Sequence, residues 1–134
     1  MRVFLLLSFF AFPAWAQSPE QVMNDLLSAL QDNNADNDGI VEVFARAAPE
    51  NKAMTGPLPR FIRMVSAHPY GELLNHQSAV LGPAETRDNQ VTFPIRLISK
   101  EGRAMGYIWT LAQQPDEQWM TTSVYPVAVN GQGL

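Results

Sequence analysis

The sequence has no cysteine, two histidines and few charged residues, and each scarcity removes a class of function. Without cysteine the chain forms no disulfide, performs no thiol chemistry and offers no thiolate to a metal, so its apolar core alone must hold the fold. Charged residues make up 16% of the chain and give a formal net charge of −4, with no cluster of lysine or arginine. This acidic balance argues against nucleic acid and anionic membrane surfaces as partners.

Motifs of the common enzyme chemistries are also missing. The sequence contains no phosphate-binding loop, no dinucleotide fingerprint and no Ser-His-Asp order. The two histidines, His68 and His76, are eight residues apart, and His68 stands before Pro69 in a turn. Metal ligands on a helix prefer a spacing of about three or four residues. We therefore predict no metal, no cofactor and no catalytic residue.

The longest apolar run lies at the N-terminus. It extends from Val3 to Phe12 after the single cation Arg2, and it is followed by Pro-Ala-Trp-Ala ending at Ala16. This order is typical of a secretory signal peptide with an Ala-x-Ala cleavage site, because a spanning helix needs roughly 18 apolar residues. We expect cleavage after residue 16, which leaves 118 residues with a charge of −5 because Arg2 is lost. An uncleaved amphipathic anchor is the alternative. The predicted location is the bacterial periplasm or the medium, with no membrane attachment after cleavage.

The most regular pattern lies between Gln90 and Val124, where bulky residues alternate with smaller ones in two segments. This period of two predicts two strands that each place one face on a core. A three-residue loop at residues 100–102, with Gly102 in its left-handed position, keeps all the large residues on one face. The resulting pairs are Val91 with Leu111, Phe93 with Trp109, Ile95 with Tyr107, and Leu97 with Met105.

Helices are predicted before these strands. Ser18, Pro19 and Gln21 form an N-cap, a first-turn proline and a capping box, and the helix should end near Asn33. A second helix should end at Ala48-Pro49 and lead into a turn-rich connection over residues 51–59. A third helix is predicted to stop before His68-Pro69. The apolar faces of the three helices are Val22, Met23, Leu26, Leu27 and Leu30; Ile40, Val43, Phe44 and Ala47; and Leu58, Phe61, Ile62 and Val65.

Two strands complete the predicted sheet. Residues 77–87 form one of them, interrupted at Gly82 and Pro83, and a two-residue loop at Asp88-Asn89 would set Pro83 opposite Pro94. The last hairpin, around Pro115-Asp116, leaves open whether Trp119 or Met120 joins the core face.

The segment DNNADNDG between the first two helices invites comparison with a calcium loop. With Asn34 as position one, Asp36, Asp38 and Gly39 fall at positions three, five and six. Position twelve is then Ala45, where the bidentate glutamate should be. A polar turn between helices, which needs no metal, is the simpler interpretation.

Several segments occur in a familiar order: AAPENKAMTGPLPRFIRMV from Ala47 to Val65, then Tyr70, Leu73 and Leu74, then Gly102 to Trp109, and finally Trp119 and Met120. In this order the chain resembles the bacterial family called domain of unknown function 4864, from about Pro19 to Val124. The resemblance implies a fold similar to the cystatin-like or nuclear-transport-factor-2-like group, no established activity, no catalytic residues and no metal loop. We predict an α+β domain over residues 17–126, with N-terminal helices on one face of a curved antiparallel sheet of about four strands, and a flexible tail over residues 127–134.

The strand segments offer little that could act as an acid or base. Residues 91–98, 104–113 and 119–125 contain no aspartate, glutamate or histidine. Catalysis on such a fold usually uses an aspartate, a histidine or a tyrosine on the pocket face of a strand, and of these the segments offer only Tyr107 and Tyr125. We therefore predict an exported, non-catalytic binding or accessory domain. The alternative is a small pocket enzyme, isomerase- or dehydratase-like, that acts on an apolar metabolite through Tyr70 or His76.

The candidate ligand-binding residues are aromatic. Tyr70, Phe93, Tyr107 and Trp109 could line a pocket for a small apolar ligand, although core packing alone also explains the last three. A protein partner is also possible. A third hypothesis is a homodimer through the outer sheet face, which should carry Thr92, Ile98, Ile108 and Ala112.

Overall fold

The structure, a computed structural model, describes residues 17–129. Four helices precede an antiparallel sheet, so the predicted α+β class is confirmed. The predicted signal peptide and residues 130–134 of the predicted tail lie outside the described residues. The helices α1 to α4 are Pro19–Gln31, Asp38–Ala45, Pro49–Thr55 and Leu58–Ser66, and a 3₁₀ helix follows at Tyr70–Leu73. The strands β1 to β5 are Ser78–Leu81, Glu85–Arg87, Gln90–Ile98, Ala104–Gln113 and Trp119–Val127.

The sheet has the order β1-β3-β4-β5, and β2 also pairs with β3, so the five segments occupy four strand positions. The predicted β3–β4 register is confirmed, with Phe93 opposite Trp109 and Ile95 opposite Tyr107. Ser99 donates its N–H to the Arg103 carbonyl, so the loop holds three residues, and Gly102 has a φ of 85°. The register is the one that keeps every large side chain of the hairpin on the core face.

The predicted opposition of Pro83 and Pro94 is wrong by one residue. Strand β2 keeps the predicted pairing, but β1 is shifted, and Gly82 donates its N–H to the Pro94 carbonyl at 2.7 Å. This close approach requires glycine, because a Cβ there would lie 2.8 Å from the Pro94 ring. The shift pairs Leu81 with Ile95 and leaves Pro83 in the break between β1 and β2.

The β4–β5 pairing shows which of Trp119 and Met120 joins the core face. Trp119 pairs with Gln113, which shares a face with Trp109, whereas Met120 pairs with the outward-facing Ala112. Trp119 therefore packs against the core. A β-bulge then leaves Thr122 unpaired, between the partners of residues 110 and 111.

The capping box predicted for α1 is present, because Gln21 donates its N–H to the Ser18 hydroxyl and accepts the Ser18 N–H with its side chain. The prediction for residues 48–59 is wrong: Pro49 begins α3 instead of closing the preceding helix, and Gly56 ends α3 with a φ of 80°. Proline fits the first turn of a helix, where its missing N–H has no partner to lose. Since α3 buries none of its residues, no apolar periodicity reveals it in the sequence.

One apolar core joins the helices to the inner face of the sheet. Its largest fully buried side chains include Trp109, Tyr107, Phe93 and Met23. The apolar stripe of α1 contributes all five of its predicted residues. Among residues 17–129 there is no helix with the length and apolar character needed to cross a membrane.

Candidate functional site

A pocket of about 130 Å³ lies between the helices and the β4–β5 half of the sheet. Most of its wall is apolar, because the inward stripes of α1, α2 and α4 meet the inner faces of two strands there. The apolar wall includes Leu30, Val43, Phe61, Val65, Leu73 and Trp109, and the polar wall residues are Asn51, Thr55, Tyr70 and Thr121.

The structure divides the four predicted ligand-binding residues into two pairs. Tyr70 and Trp109 line the pocket. Phe93 and Tyr107 are 1% and 0% exposed and are not part of its wall. Phe93 faces Trp109 from β3, on the side away from β5, so the pocket lies beyond its reach. The alternating pattern found the inward face but did not indicate which strands leave space above it.

The polar atom of Trp109 is already engaged. Its indole Nε1 donates to the Thr121 hydroxyl at 2.9 Å, and Thr121 is 3% exposed. Burying an indole N–H without a partner costs roughly 1–3 kcal/mol, so this hydrogen bond holds the ring in one orientation. Trp109 therefore presents an apolar surface to the pocket.

Two tyrosine hydroxyls attach the turn before β1 to the sheet. Tyr107 donates to the Pro69 carbonyl at 2.7 Å, and Tyr70 donates to the Val124 carbonyl at 3.1 Å. Burial raises the pKa of the Tyr107 phenol far above its ordinary value, and the negative charge of Glu72 and the neighbouring Tyr70 raise it further. The raised pKa keeps the Tyr107 hydroxyl protonated at neutral pH, and both hydroxyls are engaged by backbone carbonyls, which suits anchoring.

His76, the other proton-transfer candidate, lies outside the pocket wall. It is 4% exposed, and its Nδ1 donates to the Leu73 carbonyl at 2.8 Å. The neighbouring Asn75 donates its backbone N–H to the Leu30 carbonyl and its side-chain amide to two further carbonyls at the end of α1. The Gln31 side-chain amide of α1 also donates to the His76 carbonyl, so Asn75 and His76 secure the junction between α1 and the sheet.

Sequence reasoning missed three polar residues of the pocket wall: Asn51, Thr55 and Thr121. Asn51 donates its amide to the Thr122 carbonyl at 3.0 Å. The Thr55 Oγ1 is buried and has no hydrogen-bond partner within residues 17–129. Asn51 and Thr55 are four residues apart, and they lie between Pro49 and Gly56. A proline before and a glycine after such a pair are typical of a short helix, and this was the signal available in the sequence.

A backbone bridge fixes the segment between α2 and α3 against the bulged part of β5. Thr121 donates its N–H to the Arg46 carbonyl at 3.1 Å, and Ala48 donates its N–H to the Thr121 carbonyl at 2.8 Å. Ala47 and Ala48 are 2% and 0% exposed, so larger side chains would force the segment off the strand. We call this pairing the Ala47–Thr121 bridge. It holds one side of the pocket.

The polar side chains of the α1–α2 loop are used to cap helices. The Asn33 side-chain oxygen accepts the N–H groups of Gly39 and Ile40, and the Asn34 oxygen accepts those of Asp36 and Asp38. Residues 17–129 contain no group of three or more histidine, aspartate or glutamate side chains placed to hold a metal ion. The hydrogen bonds of Asn33 and Asn34 are those of a polar turn between helices.

The outer sheet face carries the residues predicted for it. Ile98 and Ile108 are half-buried, and the hydroxyls of Thr92 and Thr110 lie 3.0 Å apart. Ala112 is 6% exposed beside Met120. Within residues 17–129 the apolar core includes none of the outward-facing residues of β3 and β4, and this outer face mixes apolar residues with Thr92, Thr110 and the exposed Arg96.

Comparison with known proteins identifies a family and no activity. A search of curated proteins found no match. The family model described as a domain of unknown function, DUF4864, matches residues 15–134. It thereby covers the pocket wall, the Ala47–Thr121 bridge and all five strands. Likeness to the cystatin-like group stays an expectation. With nearly the whole sequence matched, the chain belongs to the DUF4864 family.

Proposed function

We propose that this protein is an exported, non-catalytic binding domain that holds a small apolar group in the pocket between its helices and β4–β5. The supporting observation is the wall of the pocket, which is apolar except for four residues. Export to the periplasm or beyond is proposed from the signal-like pattern of residues 1–16.

The volume of the pocket limits the size of the ligand. Sites for drug-sized molecules usually enclose about 300–1,000 Å³, whereas an apolar cavity of roughly 150 Å³ accepts benzene. At about 130 Å³ the pocket suits a compact group of about the size of one aromatic ring. The ligand is therefore a very small molecule or the apolar end of a longer one.

The chemistry of the wall argues against catalysis. Within residues 17–129, Tyr70 is the one ionisable side chain that lines the pocket, and its hydroxyl donates to a backbone carbonyl. General acid–base catalysis needs a group that gains or loses a proton near neutral pH within reach of the substrate. The isomerase- or dehydratase-like alternative would need another group to enter the pocket.

Val124→Phe tests the proposal, because Val124 lines the pocket and a larger ring there removes space. We expect benzene to bind the mature protein and to shift the Trp109 indole N–H resonance in NMR spectra. The variant should lose at least about tenfold in affinity, since filling a cavity of this size leaves no room for the ligand.

Val41→Phe is the matched control, because Val41 is 38% exposed on α2 and does not line the pocket. It should bind benzene as the wild type does. Native mass spectrometry of the mature protein from its own periplasm would identify a retained ligand. Absence of benzene binding to the wild type, or equal losses in both variants, would contradict the proposal.

A second copy of the chain is the partner that we propose for the outer sheet face. The described charges on this face are Glu85 and Arg87 on β2 and the exposed Arg96 on β3, whereas Ile108 itself lies between the uncharged Pro94 and Tyr125. A two-fold axis would set Glu85 of one copy near Arg87 of the other. The strands extend about 30 Å and four positions span about 19 Å, so roughly 500–600 Å² per copy is available. This is less than the ~800 Å² of a standard interface, so the dimer should be weak.

A further inference from the structure

We infer that the ligand of this pocket is a neutral, compact ring that carries one hydrogen-bonding group, and that Thr55 receives that group. The inference rests on the proposed binding function and narrows it to a chemical class. Its basis is the state of each polar group in the wall.

Three of the four polar wall residues have partners within the protein. The Tyr70 hydroxyl donates to the Val124 carbonyl, the Asn51 amide donates to the Thr122 carbonyl, and the Thr121 hydroxyl accepts the Trp109 N–H. A ligand that competed for these groups would break hydrogen bonds that hold the turn, α3 and the Trp109 ring. Each of these residues therefore already makes a hydrogen bond that shapes the pocket, whereas Thr55 makes none.

Thr55 is different. Its Oγ1 is buried, yet it has no hydrogen-bond partner within residues 17–129, although a threonine in a helix can bond the carbonyl four residues earlier. A buried hydroxyl without a partner destabilises the protein that contains it. A ligand that supplies a donor or acceptor to this oxygen removes that cost, and so it gains affinity over a ligand that lacks one. The Oγ1 has almost no accessible surface in the described rotamer, so a rotation about χ1 must bring it to face the pocket, and this rotation leaves the backbone of α3 in place.

The wall also determines the charge of the ligand. The described wall contains no lysine, arginine, histidine, aspartate or glutamate. An ionised group would lose its hydration there without gaining a counter-ion, and this strongly opposes binding. A hydroxyl, carbonyl or amine that is neutral at pH 7 fits, whereas a carboxylate or an ammonium does not.

Phenol, benzene and benzoate test the inference on the mature protein by NMR titration. Phenol and benzene differ by the one hydroxyl that Thr55 would receive. We expect phenol to bind the wild type about tenfold more tightly than benzene, and benzoate to bind far more weakly than either. In Thr55→Val, which keeps the side-chain shape, the advantage of phenol should disappear while the affinity for benzene is unchanged. Thr55→Ser, which keeps the hydroxyl, should restore it.

Thermal unfolding of the free protein gives an independent readout. Replacing an unpartnered buried hydroxyl with a methyl group should leave the unfolding midpoint of Thr55→Val equal to or above that of the wild type. A lower midpoint would show that the hydroxyl has a partner in the free protein, and would overturn the inference. An unchanged phenol-to-benzene ratio in Thr55→Val would also overturn it and leave the proposed function standing. If the wild type bound neither ring, both would fail.

Discussion

The hydroxyl of Tyr107 illustrates how a single residue links the sheet to the pocket. It lies on β4 at 0% exposure and donates to the Pro69 carbonyl, directly before the Tyr70 side chain that lines the pocket. The predicted role for Tyr107 was contact with a ligand. Its observed contact is with the backbone of the turn that carries Tyr70.

Tyr107 should make the protein sensitive to alkaline pH. Both folded and unfolded states keep its proton below pH 10.0, the ordinary pKa of the phenol. Above that pH the unfolded chain releases the proton while the folded protein retains it, so the free energy of unfolding decreases as pH rises. Tyr107→Phe should be about 1 kcal/mol less stable at pH 7, because the Pro69 carbonyl loses its donor, and should show a shallower alkaline decrease. Urea unfolding from pH 7 to 11 measures both.

Tyr125→Phe is the control for this experiment, since Tyr125 is 50% exposed on the outer face. It should leave both the stability at pH 7 and the alkaline slope unchanged. If the free energy of unfolding decreased equally with pH in the wild type and in Tyr107→Phe, the alkaline sensitivity would not arise from Tyr107.

The sequence allowed the candidate site to be predicted only where a regular pattern was present. Strict alternation placed Phe93, Tyr107 and Trp109 on the inner face, and this placement is confirmed. Which of them borders a space depends on how far the helices stand from each strand, and side-chain periodicity carries no information on that distance. Thr55 escaped prediction because its helix buries no residue and shows no apolar pattern.

At the scale of elements, α1 and α2 form a tightly packed pair. Gly39 lies in the first turn of α2, and a Cβ at this position would overlap the Ala29 carbonyl oxygen of α1. The Asn33 cap on Gly39 and Ile40 fixes the same junction. The apolar stripes of the two helices were predictable from spacing, but this close contact was not, because it depends on their crossing geometry.

Gly39→Ala should therefore destabilise the protein by about 3 kcal/mol, since the added methyl group forces the two helix backbones apart. Gly102→Ala provides a contrast, because Gly102 has a φ of 85° with open space around its missing Cβ. That change should cost about 1 kcal/mol, from the left-handed backbone alone. Urea unfolding measures both. A cost at residue 39 no larger than that at residue 102 would show that the helices have room to separate.

The hairpin β3–β4 was the best predicted element, and α3, which has no apolar pattern, was the worst. In the hairpin a one-residue slip would turn every large side chain away from the core, so pattern and turn admit one register. The pairing of β1 was not predictable from the sequence, because it is shifted by one residue and Gly82 donates its N–H to the Pro94 carbonyl. No pattern of side chains in the sequence indicates this shift.

At the scale of the whole molecule, the two faces of the sheet differ, because the inner face is apolar and the outer face carries both apolar and polar residues. The inner surface is covered by helices and contains the pocket, and the outer surface includes Val80 and Tyr125 at 64% and 50% exposure. Large exposed apolar residues that lie close together often mark contact surfaces.

Ile108→Lys tests the proposed dimer, because Ile108 lies between Pro94 and Tyr125 at the centre of the outer face. Sedimentation velocity should show the wild type associating as its concentration rises, and the variant remaining monomeric, since a lysine would lose hydration at an apolar contact. Val41→Lys, on the exposed side of α2, should associate as the wild type does. A wild type that stays monomeric at millimolar concentration would rule the dimer out.

The Ala47–Thr121 bridge bears on how quickly a ligand can exchange. The bridge joins the chain up to Ala48 to β5. The helix α3 that follows buries none of its residues. It is attached mainly by the Asn51 hydrogen bond and by Lys52, whose ammonium lies 5.2 Å from the centre of the Phe44 ring. Displacing this one short helix exposes little apolar surface, so it requires far less free energy than global unfolding. Association and release can then be much faster than unfolding, and a bound molecule would equilibrate with its surroundings many times within the lifetime of the folded protein.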